Sequence, residues 1–232
     1  MHTDRKAAIV LARMDSERFP GKALHPIARK PLIYYCTVPL LGSKCFDVLL
    51  ATSNRPVDDP LANFAKQYGI KCFRGDASNV SKRVVDCIEH FNIDYFARIN
   101  GDSPFVRRAL IEDAFFTLQS GGFDFVSNLT PRTFPYGISV ETFHSEIFLK
   151  FKNILVTDKY REHFTKYFYD HLEHFRFKSI TLDHNYSDVR LTVDYEPDIM
   201  TVEYIIEHCH DISNVSIEQL AATYHTYHKR HN

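Results

Sequence analysis

From residue 7 to residue 127, short apolar runs alternate with segments of helical spacing. The apolar runs that predict buried strands are residues 7–11, 46–51, 70–73, 95–99 and 123–127. The segments whose apolar residues recur with the helical period are residues 31–41, 56–68, 78–91 and 106–118. Because strands that alternate with helices build a largely parallel sheet between helical layers, the pattern predicts an α/β fold.

The pattern changes after residue 127. Alternating residues at 138–143 and 175–182 predict two further strands, the second of them antiparallel or part of a hairpin, and residues 190–193 predict a last strand. The remaining segments of helical spacing are residues 145–155, 159–172, 198–209 and 216–228. Since no repeat or low-complexity linker divides the chain, we predict one domain over residues 1–232. Its architecture would be a three-layer α/β/α fold with a mixed, mostly parallel sheet.

The composition excludes several functional classes. The 232 residues are 44% hydrophobic, which is enough for one ordinary core. A net charge of −1 argues against a nucleic-acid binder, whose affinity rests on an excess of Lys and Arg. No apolar run approaches the roughly 18 residues of a membrane span, and no signal peptide is recognisable. The five cysteines form no Cys-x-x-Cys pair, so we expect reduced thiols and a cytoplasmic protein.

The segment from Ala12 to Lys22 follows the first predicted strand without a break. It reads Ala-Arg-Met-Asp-Ser-Glu-Arg-Phe-Pro-Gly-Lys and matches neither the dinucleotide fingerprint nor the P-loop. At the carboxyl end of such a strand, outward-facing backbone amides favour an anion. Ser16 adds a hydroxyl to three basic side chains, Arg13, Arg18 and Lys22. We interpret residues 12–22 as a phosphate loop, with an ordinary basic surface loop as the alternative.

A second polar segment, Asn100-Gly101-Asp102-Ser103-Pro104, follows the predicted strand at residues 95–99. Its position puts Asp102 at the same edge of the sheet as the phosphate loop. A carboxylate beside bound phosphates can hold Mg²⁺. From this segment alone, however, the stronger interpretation is that Asp102 caps a helix beginning near Pro104.

The phosphate loop, the Lys30-Pro31-Leu32 segment and the later Leu191-Thr192-Val193-Asp194-Tyr195 segment together resemble the sugar cytidylyltransferases. The resemblance is greatest to the branch of spore-coat polysaccharide biosynthesis proteins, which is related to the 3-deoxy-manno-octulosonate and acylneuraminate cytidylyltransferases. It implies a nucleotide-diphospho-sugar-transferase-like fold and transfer of CMP from CTP to a sugar or sugar acid, with release of pyrophosphate, for surface polysaccharide biosynthesis. It also implies Mg²⁺ as cofactor and a homodimer, with residues 130–182 as the acceptor-side segment and the candidate dimerisation segment.

The family motifs assign roles to individual residues of this chain. Asp102 and Asp194 would share the metal ion, and this second carboxylate reverses the preference for a helix cap at Asp102. The residues expected to act in catalysis are Arg13, Lys22 and Asp102. The residues expected to bind the nucleotide are Ala12, Arg13, Ser16, Arg18, Lys22, Arg74, Ser81, Arg83 and Asn100. The residues expected to bind the acceptor are Arg132, Tyr136, Glu141, Arg161 and His163.

Some residues depart from this pattern or allow another interpretation. Asp15 and Glu17 would repel a triphosphate unless Arg13 or Arg18 pairs with them. Arg83 could lie on a solvated helix face. Two other functions therefore stay open: a glycosyltransferase that uses a nucleotide-sugar donor, and a nucleotide-binding scaffold without activity. Glycosyltransferases of this architecture usually carry Asp-x-Asp where this chain has Gly-Asp-Ser.

Overall fold

A seven-stranded mixed sheet forms the centre of the computed structural model, which describes residues 4–209 and 211–231. The strands of the chain are β1 (Lys6–Leu11), β2 (Pro26–Ile27), β3 (Lys30–Pro31), β4 (Asp47–Ser53), β5 (Lys71–Gly75), β6 (Tyr95–Asn100), β7 (Phe125–Ser127), β8 (Glu141–His144) and β9 (Phe177–Ser179). The sheet order is β5-β4-β1-β6-β8-β7-β9, while β2 and β3 form a separate antiparallel pair. Only β8 runs against its neighbours, so the sheet is mixed and mostly parallel, as predicted.

Helices cover both faces of the sheet. In chain order they are α1 (Leu32–Thr37), α2 (Asp59–Gln67), α3 (Val80–Phe91), α4 (Arg108–Gly121), α5 (Ser145–Lys150), α6 (Lys152–Leu155), α7 (Lys166–Asp170), α8 (Asp198–His208) and α9 (Ile217–His231). Residues of α1, α2, α4, α8 and α9 share one core with Ala8 and Val10 of β1. Residues of α3, α5, α6 and α7 share the other core with Ala7 and Ile9. Successive residues of a strand face opposite sides, so this division confirms the three-layer architecture.

Three of the predicted elements were wrong in part. Residues 190–193 form no strand of the sheet: a single bridge joins Arg190 to Tyr136, and their apolar character reflects burial of Leu191 and Val193 in the core. β9 pairs with β7 in parallel rather than antiparallel. The period of two does not distinguish these directions. The helix expected at residues 159–172 is reduced to α7 between turns.

The carboxyl ends of β1 and β6 lie side by side, because Leu11 pairs with Asn100. The N–H of Gly101 donates to the carbonyl of Leu11 over 2.9 Å. A Cβ on Gly101 would stand 2.7 Å from that carbonyl oxygen and 2.8 Å from Cβ of Ala12. Glycine at this position therefore lets the two strand ends approach, and it brings Asp102 beside the phosphate loop.

Within the described part of the chain, no helix combines the length and apolar character of a membrane span.

Candidate active site

A cavity of about 800 Å³ opens where β1 and β6 end. One side is lined by the phosphate loop and by Asp102, and another by segments that follow β7, α6 and β9. We call the part lined by Arg132, Tyr136, Arg161 and His163 the acceptor end of the cavity. The cavity thus joins the two groups of residues that the sequence assigned to the nucleotide and to the acceptor.

Asp58 fixes the backbone of the phosphate loop. This fully buried carboxylate accepts hydrogen bonds from the backbone N–H of Met14, at 2.7 Å, and from the hydroxyl of Ser53. Farther along the loop, the N–H of Gly21 donates to the carbonyl of Met14 over 2.7 Å, and Gly21 has a φ of 78°. Glycine suits this left-handed turn. The loop is therefore closed on itself and tied to β4.

Replacing Asp58 by alanine should loosen the phosphate loop. The change leaves the part-buried N–H of Met14 without its acceptor, which costs about 1–3 kcal/mol of stability. Asp58→Asn keeps one oxygen for that N–H and should cost less. Urea unfolding measures the stability, and the KM for CTP measures loop order. A wild-type unfolding midpoint in Asp58→Ala would contradict the assigned role.

Lys22 lies between the two predicted metal ligands. Its Nζ donates to Oδ2 of Asp102 and to the carbonyl of Val193, both at 2.9 Å, and stands 3.8 Å from Oδ1 of Asp194. Asp102 does not cap a helix, because α4 begins only at Arg108 with Arg107 as its N-cap. Two carboxylates from distant parts of the chain therefore converge on one ammonium group at the cavity.

Asp194 is surrounded by cations and by backbone support. Its Oδ1 accepts from Arg18 at 3.0 Å and its Oδ2 from Arg190 at 2.6 Å. Its own N–H donates to Oδ2 of Asp198 over 2.7 Å. Burial raises the pKa of Asp194, but the positive charges of Lys22 and Arg190 outweigh it and hold the pKa below its ordinary value.

Asp194 should therefore make stability depend on pH. A carboxyl whose pKa is lower in the folded state contributes stability that is present above its unfolded pKa of about 3.9. That contribution is lost as the pH falls through the folded-state pKa. We expect Asp194→Asn to be less stable than the wild type at neutral pH, with a difference that shrinks in acid. Urea unfolding across this range measures it, with Asp183→Asn on the exposed surface as control. A difference independent of pH would contradict this assignment.

The donor set at Asp102 and Asp194 suits a hard divalent cation. Mg²⁺ in nucleotide sites is held by one or two carboxylates, and phosphate oxygens and water complete its coordination. Among residues 4–209 and 211–231, no group of three or more His, Cys, Asp or Glu side chains forms a metal cluster. The two carboxylates therefore fit a metal that arrives with a nucleotide, and do not form a closed protein site.

Two arginines, Arg13 and Arg83, bind the turn that precedes α3. Arg13 donates to the carbonyl of Ala77, and Nη1 of Arg83 donates to the carbonyl of Asp76 over 3.0 Å. Arg83 is only 1% exposed, so it does not lie on a solvated helix face. Burial and the charge of Arg13 lower the pKa of Arg83 to about 10. A bound anion would offset the cost of burying this positive charge.

Asp15 is neutralised, though mainly by a residue other than the expected ones. Its carboxylate pairs with Arg55, while Nε of Arg13 stands 3.8 Å away. Burial raises the pKa of Asp15, and the hydrogen bond from Arg55 and both arginine charges lower it further than burial raises it. Glu17 lines the cavity. The predicted repulsion of a triphosphate is therefore reduced at Asp15.

Most residues that the sequence singled out line one cavity, but three do not. Arg74 turns toward the carbonyls of Ser53 and Arg55, and Ser81 and Glu141 are buried behind the surface. The predicted residues that line the cavity are Ala12, Arg13, Ser16, Arg18, Lys22, Arg83, Asn100, Asp102, Arg132, Tyr136, Arg161, His163 and Asp194.

Sequence reasoning missed Asp58, Arg98 and Arg190. Arg190 stands four residues before Asp194 and forms an ion pair with it. A pair four residues apart is expected in a helix, but this segment was predicted as a strand, so the pairing was not foreseen. Arg98 stands within a strand that reads as buried, two residues before Asn100. A charged residue inside an apolar strand was the available signal for Arg98.

Comparisons with known proteins find similar sequences and a similar fold over most of the chain. The family model described as "Cytidylyltransferase" matches residues 7–227. The spore coat polysaccharide biosynthesis protein SpsF of Bacillus subtilis (strain 168) is 27% identical over 220 residues, which cover 91% of this chain and 90% of that protein. A 3-deoxy-manno-octulosonate cytidylyltransferase of Synechococcus elongatus is 33% identical over 110 residues, 47% of this chain and 44% of that one. The solved structure of a cytidylyltransferase from Leptospira borgpetersenii serovar Hardjo-bovis (strain JB197) is 26% identical with a TM-score of 0.91, covering 98% of this chain and 96% of that one.

Proposed function

The chain belongs to the cytidylyltransferase family, and we propose that it is a Mg²⁺-dependent enzyme that transfers CMP from CTP to a sugar or sugar-acid acceptor. The observation that carries the proposal is the convergence of Asp102 and Asp194 on Lys22 beside a closed phosphate loop. The relatives named above support the choice of CTP and a role in surface polysaccharide biosynthesis.

In the proposed reaction, a hydroxyl oxygen of the acceptor attacks the α-phosphorus of CTP. A new P–O bond forms, the bond between the α-phosphorus and its bridging oxygen breaks, and pyrophosphate leaves with the electron pair. The hydroxyl proton passes to solvent. Arg13, Arg18 and Lys22 line the cavity where the phosphates would lie, and their charges offset the negative charge of the phosphates.

Magnesium, when bound with the nucleotide, would orient the α-phosphate and stabilise developing negative charge. Asp102 and Asp194 are the side chains that would hold it. Positioning of two reactants in one cavity supplies much of the rate enhancement in reactions of this kind, so little acid-base chemistry is asked of the protein.

The nucleotide and the acceptor would occupy opposite parts of the cavity. Arg83 and Asn100 line the part near the phosphate loop, where base and ribose would bind. The acceptor end offers Arg132, Arg161 and His163. A homodimer through residues 130–182 stays a prediction from the family resemblance, and a cytoplasmic location stays a prediction from the composition.

Release of pyrophosphate tests the proposed function. The full chain is mixed with Mg²⁺, each of the four nucleoside triphosphates, and a panel of sugar acids, sugar phosphates and neutral sugars. We expect pyrophosphate with CTP and with a restricted set of acceptors. Pyrophosphate with another triphosphate but not CTP, or no release and no nucleotide binding, would contradict the proposal.

A further inference from the structure

A row of polar side chains crosses the sheet from the cavity to the edge strand. Strand register pairs Arg98 of β6 with Glu141 of β8, Glu141 with Ser127 of β7, and Ser127 with Ser179 of β9. A row of aromatic residues lies on the same face of the sheet. Each lies two positions before the polar residue of its strand on β6, β7 and β9, and two positions after it on antiparallel β8. That row is Phe96, Phe143, Phe125 and Phe177. A charged pair is thus built into an aromatic core.

Glu141 is held on both of its oxygens. It is 1% exposed, its Oε2 accepts from Nη1 of Arg98, and its Oε1 lies 3.0 Å from the hydroxyl of Tyr169. That hydroxyl also stands 2.7 Å from Oγ of Ser127. Burial and the charge of Glu141 raise the pKa of Tyr169, so the hydroxyl keeps its proton. A buried carboxylate is costly unless it is paired, and this one fixes the direction of Arg98.

Arg98 keeps donors that the protein does not use. Its guanidinium lies over the ring of Phe164, with 5.5 Å from Cζ to the ring centre. Nη1 of Arg98 donates to Glu141, whereas the buried Nε of Arg98 has no hydrogen-bond partner among the described residues. The guanidinium carries five N–H donors in a fixed plane. Because Arg98 also lines the cavity, its oriented guanidinium group offers unused N–H donors at the cavity wall.

Arg132 is a second guanidinium that lines this cavity. It lies over the ring of Tyr136 at 4.2 Å and donates to Ser139 over 3.4 Å. No carboxylate of the described residues lies within ion-pair distance of it. Burial lowers the pKa of Arg132, and Tyr136 and Glu141 partly offset this effect. Among the described residues, Glu141 is the one carboxylate that forms an ion pair with either Arg98 or Arg132, which leaves one positive charge for a ligand.

We propose that Arg98, oriented by Glu141 and Tyr169, binds the anionic group of the acceptor together with Arg132. Carboxylate and phosphate share the required chemistry, since both offer oxygen pairs to a guanidinium fork. The inference rests on the proposed function and narrows it to acidic acceptors. It also makes Glu141 a positioning residue rather than the acceptor-binding residue that the family resemblance predicted.

Three variants test the role of Arg98 without leaving a buried charge unpaired. Arg98→Gln combined with Glu141→Gln removes both charges, and Arg98→Lys keeps the charge without the fork. Pyrophosphate release is measured with CTP and with the acidic acceptor that the wild type uses. We expect the double variant to raise the KM for the acceptor about 10- to 100-fold, because it loses a charged hydrogen bond to the acceptor. The KM for CTP should stay within about twofold of the wild-type value. Arg98→Lys should lie between, and Tyr169→Phe should raise the acceptor KM without changing kcat.

The acceptors that the wild-type protein uses identify the anionic group. Use of sugar acids but not sugar phosphates identifies a carboxylate, and the reverse identifies a phosphate. If the wild type uses neutral sugars as well as acidic ones, or if the double variant keeps the acceptor KM, the inference is wrong although the proposed function stands.

A binding probe separates this inference from failure of the proposed function. The Nε–Hε signal of Arg98, assigned by its absence in the double variant, is followed by NMR while acetate and inorganic phosphate are added in turn. A saturable shift with either anion supports the site even in a chain that releases no pyrophosphate. An unmoved signal with both anions overturns it.

Discussion

Replacing Asp102 by alanine is expected to lower kcat/KM for pyrophosphate release by at least about 100-fold. The change removes one of the two carboxylates proposed to hold Mg²⁺ and the group that fixes Lys22 at 2.9 Å. It keeps the backbone carbonyl of Asp102, which accepts from the N–H of Val193 over 2.9 Å, so the fold should persist. Initial rates at increasing Mg²⁺ concentration measure the effect, and half-saturation should move to higher Mg²⁺.

Asp86→Ala is the matched control for Asp102→Ala. Asp86 also pairs with a lysine, Lys82, but on the surface of α3 and away from the cavity. Its loss should leave the rate within about twofold of the wild type, because exposed pairs contribute little. Near-normal rates in both Asp102→Ala and Asp194→Ala would contradict the proposed metal site.

Replacing Lys22 by alanine is the second large effect, a fall in kcat/KM of about 10- to 100-fold. Lys22 would offer a charged hydrogen bond to the triphosphate, which is worth about 1.5–3 kcal/mol, and about 1.4 kcal/mol corresponds to each tenfold in rate. Without its ammonium group, Asp102 and Asp194 also lose a shared positive charge. Separate measurement of kcat and of the KM for CTP shows whether the charge acts in the transition state.

Two comparisons make the Lys22 experiment specific. Lys22→Arg retains the charge in a different shape and should recover part of the lost rate. Lys71→Ala removes a lysine that forms an exposed pair with Asp47 and should change nothing. Equal rates for Lys22→Ala and the wild type would show that the phosphates lie elsewhere.

The alternation of elements was enough to predict the layers of this fold, because strands and helices that alternate in sequence have few ways to bury their apolar faces. Buried strand β1 was evident from its apolar run and helix α3 from its helical period. The direction of β9 was not, since a strand reads the same in either direction. Residues 190–193 misled for another reason: Leu191 and Val193 are buried by side-chain packing, while their backbone pairs with loop residues.

The candidate site, like the fold, could be predicted from the sequence only in part. Residues of the phosphate loop and Asp102 directly follow strands β1 and β6, so chain order predicted their shared edge. Asp194 follows a buried run that forms no strand, so its role came from the family resemblance instead. The partners that hold them come from elsewhere in the chain: Asp58 supports the loop, Arg55 pairs with Asp15 and Arg190 pairs with Asp194. Such pairs depend on the register of distant segments, and no local pattern encodes that register.

Calorimetric titration of the full chain with CTP, with and without Mg²⁺, tests the central claim most directly. It is run beside identical titrations with the other three nucleoside triphosphates. We expect one CTP site per chain that tightens with Mg²⁺, with weaker binding of the other triphosphates. No binding of CTP, or binding that ignores both the base and the metal, would contradict a CTP-dependent transferase with a metal site at Asp102 and Asp194.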